Sequence, residues 1–289
     1  MSAGTSAKAA LNIRQAGVLG AGRLAGSPSS WLDCQLLLAR AVGASREWIM
    51  AHPFDTLSER QWNVFESYLA RRRKGEPIAY ILGEKEFYGL RFRVDTRTLI
   101  PRPETEFLVD RALELCGPAA SVLEIGAGSG CVSVALAKAR PGWKITATDI
   151  SGPALEAARE NAALHGVEND ISFIHADLFP EGKEKFDLIV SNPPYVCGQE
   201  RAEPSVHRYE PHVALYSGGG GMAVTSRIIS HAPSRLEPGG AIALETGAGM
   251  ADRVARTCAE TGFFVFTRVT KDISGVDRVV SAMGPEWTE

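Results

Sequence analysis

The apolar positions of the chain change period as they are followed from one end to the other. In Ser30-Trp31-Leu32-Asp33-Cys34-Gln35-Leu36-Leu37-Leu38-Ala39-Arg40 they recur at helical spacing behind a serine suited to capping, and Gly43 offers a stop. Trp48, Ile49 and Met50 form a short apolar patch before Pro53. Ser58 then caps a run in which Trp62, Phe65 and Leu69 share one face. Gly75 and Pro77 close the region, which predicts a small all-α domain over 1–75 with its aromatics in the core. Glu86-Phe87-Tyr88-Gly89-Leu90-Arg91-Phe92-Arg93-Val94 alternates instead around a glycine, which predicts a β-hairpin linker over 76–100. Pro101-Arg102-Pro103-Glu104-Thr105-Glu106 is a stiff turn opening a helix, with carboxylates where the helix dipole favours them.

From 121 onward strand and helix patterns alternate. Strands are expected at 122–125, 144–148, 171–175, 186–191, 241–245, 263–269 and 278–282. Helices are expected at 129–139, 153–165, 222–236 and 250–261. Such alternation predicts a mostly parallel sheet with helices on both faces. Only the turn around Ser274-Gly275 separates the last two strands, so they should pair antiparallel. A Rossmann-like, mostly parallel seven-stranded sheet ending in an antiparallel hairpin resembles class I S-adenosylmethionine (SAM) methyltransferases. The resemblance implies a catalytic domain over 101–289.

Composition narrows the classes. The 289 residues are 45% hydrophobic and 22% charged, which argues against wholesale disorder. No uninterrupted apolar stretch approaches the ~20 residues that span a bilayer. Residues 1–26, rich in small side chains and with apolar stretches interrupted by Arg14 and Arg23, make a poor secretory signal. Cys34, Cys116, Cys131, Cys197 and Cys258 contain no C-x-x-C pair. They fit reduced thiols of a cytoplasmic protein better than a disulfide framework or zinc site. Net charge is −3, unevenly placed: ten Lys/Arg against five Asp/Glu in 1–75, and 21 against 29 in 76–289. A basic module on an acidic body fits a face toward nucleic acid or ribonucleoprotein. It fits more simply the solvated end of a helix whose last turn carries Arg71, Arg72, Arg73 and Lys74.

Glu124-Ile125-Gly126-Ala127-Gly128-Ser129-Gly130 follows the first sheet strand and opens a helix. Glycines there let backbone approach a ligand closely. The dinucleotide pattern would need glycine at 131, where Cys131 stands. SAM brings no pyrophosphate for a helix N-terminus to hold, and its sulfonium and ammonium are cationic, so the carboxylate of Glu124 suits it. A tight strand–helix turn with no ligand would use the same glycines. Asp149, ending the second strand, can accept both hydroxyls of a ribose. It could equally cap the next helix, although Ser151 competes for that place. Asp177-Leu178 follows the third strand, where Leu178 would offer an apolar side and a backbone donor to an adenine.

Asn192-Pro193-Pro194-Tyr195, after the strand at 186–191, is the most specific signal. A planar amide or aromatic amine is a poor nucleophile because its lone pair is delocalised. Methylating it requires holding the NH2 group and aiming the lone pair. The Asn192 side-chain oxygen and the Pro193 carbonyl are two acceptors for that group. Neither proline adds a competing N–H, and each fixes its φ. Tyr195 supplies a flat face. Orientation should carry much of the acceleration, with nitrogen about 3–3.5 Å from the methyl carbon. A rigid proline turn is the bland alternative. His207 and His212 lie five apart, and no metal is expected.

With these residues the chain resembles the HemK/PrmC family, glutamine methyltransferases of peptide chain release factors. DNA adenine and some ribosomal RNA guanine methyltransferases share the tetrapeptide. The resemblance rests also on Gly75-Glu76-Pro77-Ile78-Ala79-Tyr80-Ile81 with Phe87-Tyr88-Gly89, on Pro101 to Glu106, on Arg208-Tyr209-Glu210-Pro211 with Ala214-Leu215, and on Leu244-Glu245. It covers about 30–283. It implies methyl transfer from SAM to the side-chain amide nitrogen of the glutamine in a Gly-Gly-Gln loop. It further implies that Gly126, Ala127, Gly128, Ser129, Gly130 and Asp149 bind SAM with Glu124 beside them, and that Leu178 lies at the adenine. Asn192 would touch both ligands, and Asn192, Pro193, Pro194 and Tyr195 would hold the glutamine. The helical domain becomes the substrate reader, with release factors as partners and no membrane or direct nucleic-acid contact. An RNA guanine or DNA adenine methyltransferase, or a non-catalytic SAM-binding protein, is the alternative.

Overall fold

Among the described residues, 11–198 and 203–287 of the computed structural model, five helices build the first of two units, which ends at Gly83. They are α1 (Ile13–Arg23), α2 (Ser30–Val42), α3 (Arg46–Ala51), α4 (Glu59–Arg73) and α5 (Ile78–Leu82). The first ten residues of the expected helical domain lie outside the described residues.

Local chemistry explains the helix ends. Ser58 and Gln61 form a reciprocal capping box at α4, and Gly43 closes α2 at φ +79°. The residue at the N-cap of α2 is Ser29, whose side chain makes no capping bond. Cys34, Leu37, Leu38, Phe65 and Leu69 are buried together, and α1 adds Ile13 and Ala16. Of the apolar patch on α3, Ile49 is buried while Trp48 and Met50 stay exposed.

The α1 helix had no expectation, since three glycines dilute its apolar stripe. The legible signal was its cap: Asn12 Oδ1 accepts from the Gln15 N–H at 2.8 Å, and Gln15 Oε1 accepts from the Asn12 N–H at 3.0 Å. The basic run resolves toward a helix end. Arg72 Nε donates to Asp33 Oδ2 at 2.7 Å, and Arg71 is held by Glu76. The unit extends past the expected boundary at 75, because residues 78–82 form α5 and Ile81 joins the helical core.

The second unit begins at Glu84. Strands β1 (Glu84–Phe87) and β2 (Leu90–Arg93) pair antiparallel through Tyr88-Gly89, whose φ values of 53° and 71° are those of a type I′ turn. The hairpin is therefore shorter than the expected linker over 76–100. A single turn at Pro103–Thr105 leads into α6 (Glu106–Leu115). The chain continues through β3 (Ser121–Ile125), α7 (Cys131–Ala139), β4 (Lys144–Asp149), α8 (Gly152–His165), β5 (Ile171–His175) and β6 (Phe186–Ser191). Next come β7 (Val196–Cys197), α9 (Pro204–Tyr209), β8 (Tyr216–Ser217), the four-glycine turn α10 (Gly218–Gly221) and α11 (Ala223–His231). The unit closes with β9 (Leu236–Glu245), α12 (Ala251–Glu260), β10 (Phe266–Lys271) and β11 (Asp277–Met283).

The seven-stranded sheet runs β10-β11-β9-β6-β3-β4-β5. All neighbours pair parallel except those of β11, which lies antiparallel between β9 and β10. This is the class I methyltransferase arrangement. Val122, Leu123, Leu188, Ile189, Ala243 and Leu244 are fully buried at its centre, as parallel strands covered on both faces require. The chain winds outward from β3 to β5 and returns to place β6 beside β3. Their carboxyl ends flank the switch point where such sheets bind ligands.

The expected helix at 222–236 is shorter. It ends at His231, because Pro233 brings a 3-10 turn and Leu236 already pairs with Phe186 as the start of β9. Pro238 is tolerated there because β11 pairs with β9 only from Ala241 onward.

Gly20 on α1 is the tightest packing point of the helical unit. A Cβ there would stand 2.7 Å from both Cys34 Sγ and Phe65 Cζ, two fully buried side chains. Helix propensity alone would make Gly20→Ala stabilising by about 0.5–1 kcal/mol. Overpacking reverses the sign, with an expected loss of about 1–3 kcal/mol in urea unfolding of the full chain. A stabilised variant would show that the two side chains move aside without cost.

Candidate active site

A cleft opens at the carboxyl ends of β3, β4 and β6. Its wall includes Glu124 through Ser129, Asp149, Leu178 and Asn192 to Pro194. The structure thus brings to this wall the expected ligand-binding residues except Gly130, and every member of the tetrapeptide except Tyr195.

The three loop glycines answer to different demands. Gly126, Gly128 and Gly130 all have positive φ, at 82°, 54° and 76°. A Cβ on Gly126 or Gly128 would meet nothing within 4 Å, so their α-carbons face open space. A Cβ on Gly130 would lie 3.0 Å from that of Ala158, so this glycine serves the packing of α7 on α8. The N–H groups of Gly126 and Ala127 both donate to the Thr148 carbonyl, at 2.8 and 2.9 Å, which ties the loop to β4.

Asp149 does not cap α8. That place is taken by Ser151, whose hydroxyl accepts from the Ala154 N–H. The Asp149 carboxylate accepts from the Gly128 N–H at 2.9 Å and from the Ser151 N–H at 2.8 Å. Each oxygen keeps a lone pair, so the group is held in place yet able to accept from a ribose. Leu178 holds an unusual φ of +75°, with its carbonyl accepting from the Thr148 hydroxyl at 2.6 Å. Such backbone strain in a non-glycine residue gathers at ligand clamps.

Glu124 is buried, and one of its oxygens accepts from the Ser133 N–H at 3.0 Å. Burial pushes its pKa up to about 8. A buried acid on the wall of a cleft suits a ligand that arrives with positive charge. Together the open glycines, the pinned Asp149 and the buried Glu124 fit SAM: a backbone cradle, a ribose acceptor and a partner for a cation.

Several contacts hold the tetrapeptide rigid. Ser191 Oγ donates to the Ile125 carbonyl at 2.7 Å, joining the ends of β6 and β3. Beyond Tyr195, β7 pairs with β8, and Val196 donates to the Leu215 carbonyl. A Cβ on Gly221 would fall 2.3 Å from the Tyr195 carbonyl oxygen, so only glycine fits, and its φ is +84°. Gly247 makes similar room for the Tyr195 ring, from which its Cβ would stand 3.0 Å. The glycine run 218–221 thus lets the backbone pass close behind the tetrapeptide. Tyr195 stays a neutral phenol, its pKa pushed up to about 12 by burial and then by the nearby Glu245.

The residues around the turn before α6 complete the wall. Glu210 is buried and accepts from Arg102 Nη2 at 2.7 Å and from the Ile100 N–H at 3.0 Å. This pair binds the Pro101–Glu106 stretch to the segment around Pro211, and Arg102, Thr105 and Ala214 all line the cleft. Asn192 Nδ2 donates to Thr105 Oγ1 at 3.1 Å. Sequence reasoning quoted Thr105, Glu210 and Glu245 inside motifs but assigned them no role. His207 and His212 stack on each other, and His207 bonds the Tyr216 hydroxyl at 2.7 Å. Among the described residues no group of three or more ligating side chains could hold a metal.

Comparison with known proteins accords with this geometry. The Methyltransferase small domain family matches residues 103–210, and the PrmC N-terminal domain family matches 19–83, up to the end of the helical unit. A release factor glutamine methyltransferase of Cereibacter sphaeroides is 41% identical, over 90% of this chain and 94% of its own length. One from Geobacter sulfurreducens is 40% identical, over 88% of this chain and 90% of its own. The crystal structure of a methyltransferase from Pyrococcus furiosus has a TM-score of 0.52 at 19% identity. It covers 76% of this chain and 99% of that one, a likeness of fold alone. Identity of about two residues in five, sustained through both units, is decisive: the chain belongs to the release factor glutamine methyltransferase family.

Proposed function

We propose that this protein transfers the methyl group of SAM to the side-chain amide nitrogen of the glutamine in the Gly-Gly-Gln loop of a peptide chain release factor. The observation that carries the reading is the state of Asn192. Its amide nitrogen is committed to Thr105, which leaves its oxygen as the acceptor for an incoming NH2 group.

SAM, when bound, supplies a methyl carbon made electrophilic by cationic sulfur. Asn192 Oδ1 and the Pro193 carbonyl take one N–H each of the substrate amide and so turn its lone pair toward the carbon. Tyr195, neutral and half-buried, packs its ring against the planar amide. As the new N–C bond forms, the C–S pair returns to sulfur and the nitrogen becomes acidic. Its proton leaves without a dedicated base. Orientation is the main contribution of these residues. A glutamine side chain offers little area for recognition, so specificity is assigned to surface remote from the reacting amide, with the helical unit as reader.

Removing the Asn192 acceptor tests the reading. Asn192→Ala should keep SAM affinity near wild type and lower turnover on purified release factor by on the order of 10²–10³. Turnover close to wild type would refute the assigned role.

Glu124 supplies a second, proton-linked test. With its pKa near 8 in the free protein, it is mostly protonated at pH 7. A bound cation favours the carboxylate and lowers that pKa, so SAM binding at pH 7 should release protons. Calorimetry in buffers of different ionisation enthalpy should show this release, and Glu124→Gln should abolish it. A binding enthalpy independent of buffer in the wild-type protein would remove Glu124 from the cation's surroundings.

A further inference from the structure

The loop from Gly126 to Gly130 is anchored in two halves. Its first half leans on β4: the N–H groups of Gly126 and Ala127 reach the Thr148 carbonyl, and that of Gly128 reaches Asp149. Its second half leans on α8, where Ala158 lies against Gly130 and Asn161, three residues on, presents its side chain on the same face. The peptide between Ser129 and Gly130 is the joint. A trans peptide points its carbonyl and its N–H to opposite sides. The Gly130 N–H donates back to the Ala127 carbonyl at 2.7 Å, and the Ser129 carbonyl accepts from Asn161 Nδ2 at 2.9 Å. Glycine at 130 tolerates φ of either sign, so its own backbone preference does not choose this orientation over the opposite one.

Asn161 is fully buried, and its amide fits only one way round. Oδ1 accepts from the Arg93 N–H at 2.8 Å, and Nδ2 donates to the Arg93 carbonyl at 3.0 Å as well as to Ser129. A backbone N–H only donates and a carbonyl only accepts, so a turned amide would break all three bonds. The amide grips Arg93, the last residue of β2, as a neighbouring strand would, and the hairpin thereby aims Nδ2 at the loop. Four residues along α8, His165 Nε2 donates to the Arg91 carbonyl at 2.9 Å and so holds the same hairpin at a second point.

We propose that Asn161 is a positioning residue for SAM binding, which fixes the Ser129–Gly130 peptide through the Ser129 carbonyl and so presets the loop. The proposal rests on the reading that this loop holds SAM. Loss of the donor leaves a buried carbonyl unpaired, and the loop departs from its preset form to satisfy it. SAM then binds only the fraction of molecules that keep that form, and apparent affinity falls by that fraction. The acceptors at Asn192 and Pro193 follow a different strand, so the chemical step is spared.

Asn161→Asp keeps the size and the acceptor for Arg93 and removes both donors. In the full-length protein, calorimetry should show SAM affinity lowered by roughly 10–100-fold, the scale of one buried carbonyl left without its partner. KM for SAM should rise in step, while kcat at saturating SAM and KM for release factor stay close to wild type. His165→Ala loosens the hairpin but leaves the Asn161 bond to Ser129 in place, so it should bind SAM as wild type does. A folded Asn161→Asp protein with wild-type affinity would overturn the proposal, as would an equal loss of affinity in both variants. NMR of the wild-type protein needs neither variant to fold. Both Nδ2 protons of Asn161 should exchange slowly, and added SAM should shift their resonances. If SAM shifted the backbone amides of Gly126 and Gly128 but not the Asn161 side chain, the proposal alone would fall. If it shifted none of them, the reading of this loop as the SAM site would fall with it.

Discussion

The delocalised lone pair of an amide nitrogen is the constraint from which the rest of this site follows. Such a nitrogen attacks carbon only when its hydrogens are held and its remaining electron density is aimed, so the site must be rigid before it is anything else. Rigidity here is built from backbone. Two successive prolines fix the chain after β6, Ser191 ties that strand's end to β3, and Gly221 lets a second backbone pass behind the Tyr195 carbonyl. The acceptors then stand at the switch point of the sheet, on its most buried strands.

The same economy governs charge. Glu124 and Glu245 are both buried acids with pKa values pushed up, to about 8 and about 7, chiefly by loss of water. The proposed chemistry asks neither to take a proton from the substrate. One lies where a cationic ligand would offset its burial. The other ends β9, beside the end of the strand from which Asn192 follows. Asp149, by contrast, is fixed by two backbone N–H groups and shows how a carboxylate is held ready without a cation at hand.

Local chemistry made much of this legible before the structure. Strand and helix alternation, the glycine loop and the proline tetrapeptide are all contiguous in sequence, and each carries its physical reason within a few residues. The misses have the opposite character. Helix α1 was hidden by Gly17, Gly20 and Gly22, which dilute its apolar stripe, although Gly20 is required by contact with Cys34 and Phe65. The end of α11 was misplaced because apolar residues continue past Pro233 into β9. The pairs Arg102–Glu210 and Thr105–Asn192 join residues 108 and 87 positions apart, and no pattern along the chain announces them. Their members were visible inside motifs, but their partners were supplied only by the fold.

The central claim is that this rigid pair of acceptors serves a protein glutamine rather than a nucleobase. The direct measurement supplies labelled SAM to the wild-type protein with purified release factor, ribosomal RNA and DNA side by side. Peptide mass spectrometry then locates any label in the protein. The account predicts label in the release factor alone, on the glutamine of its Gly-Gly-Gln loop. Label in RNA or DNA with none in the release factor would contradict it.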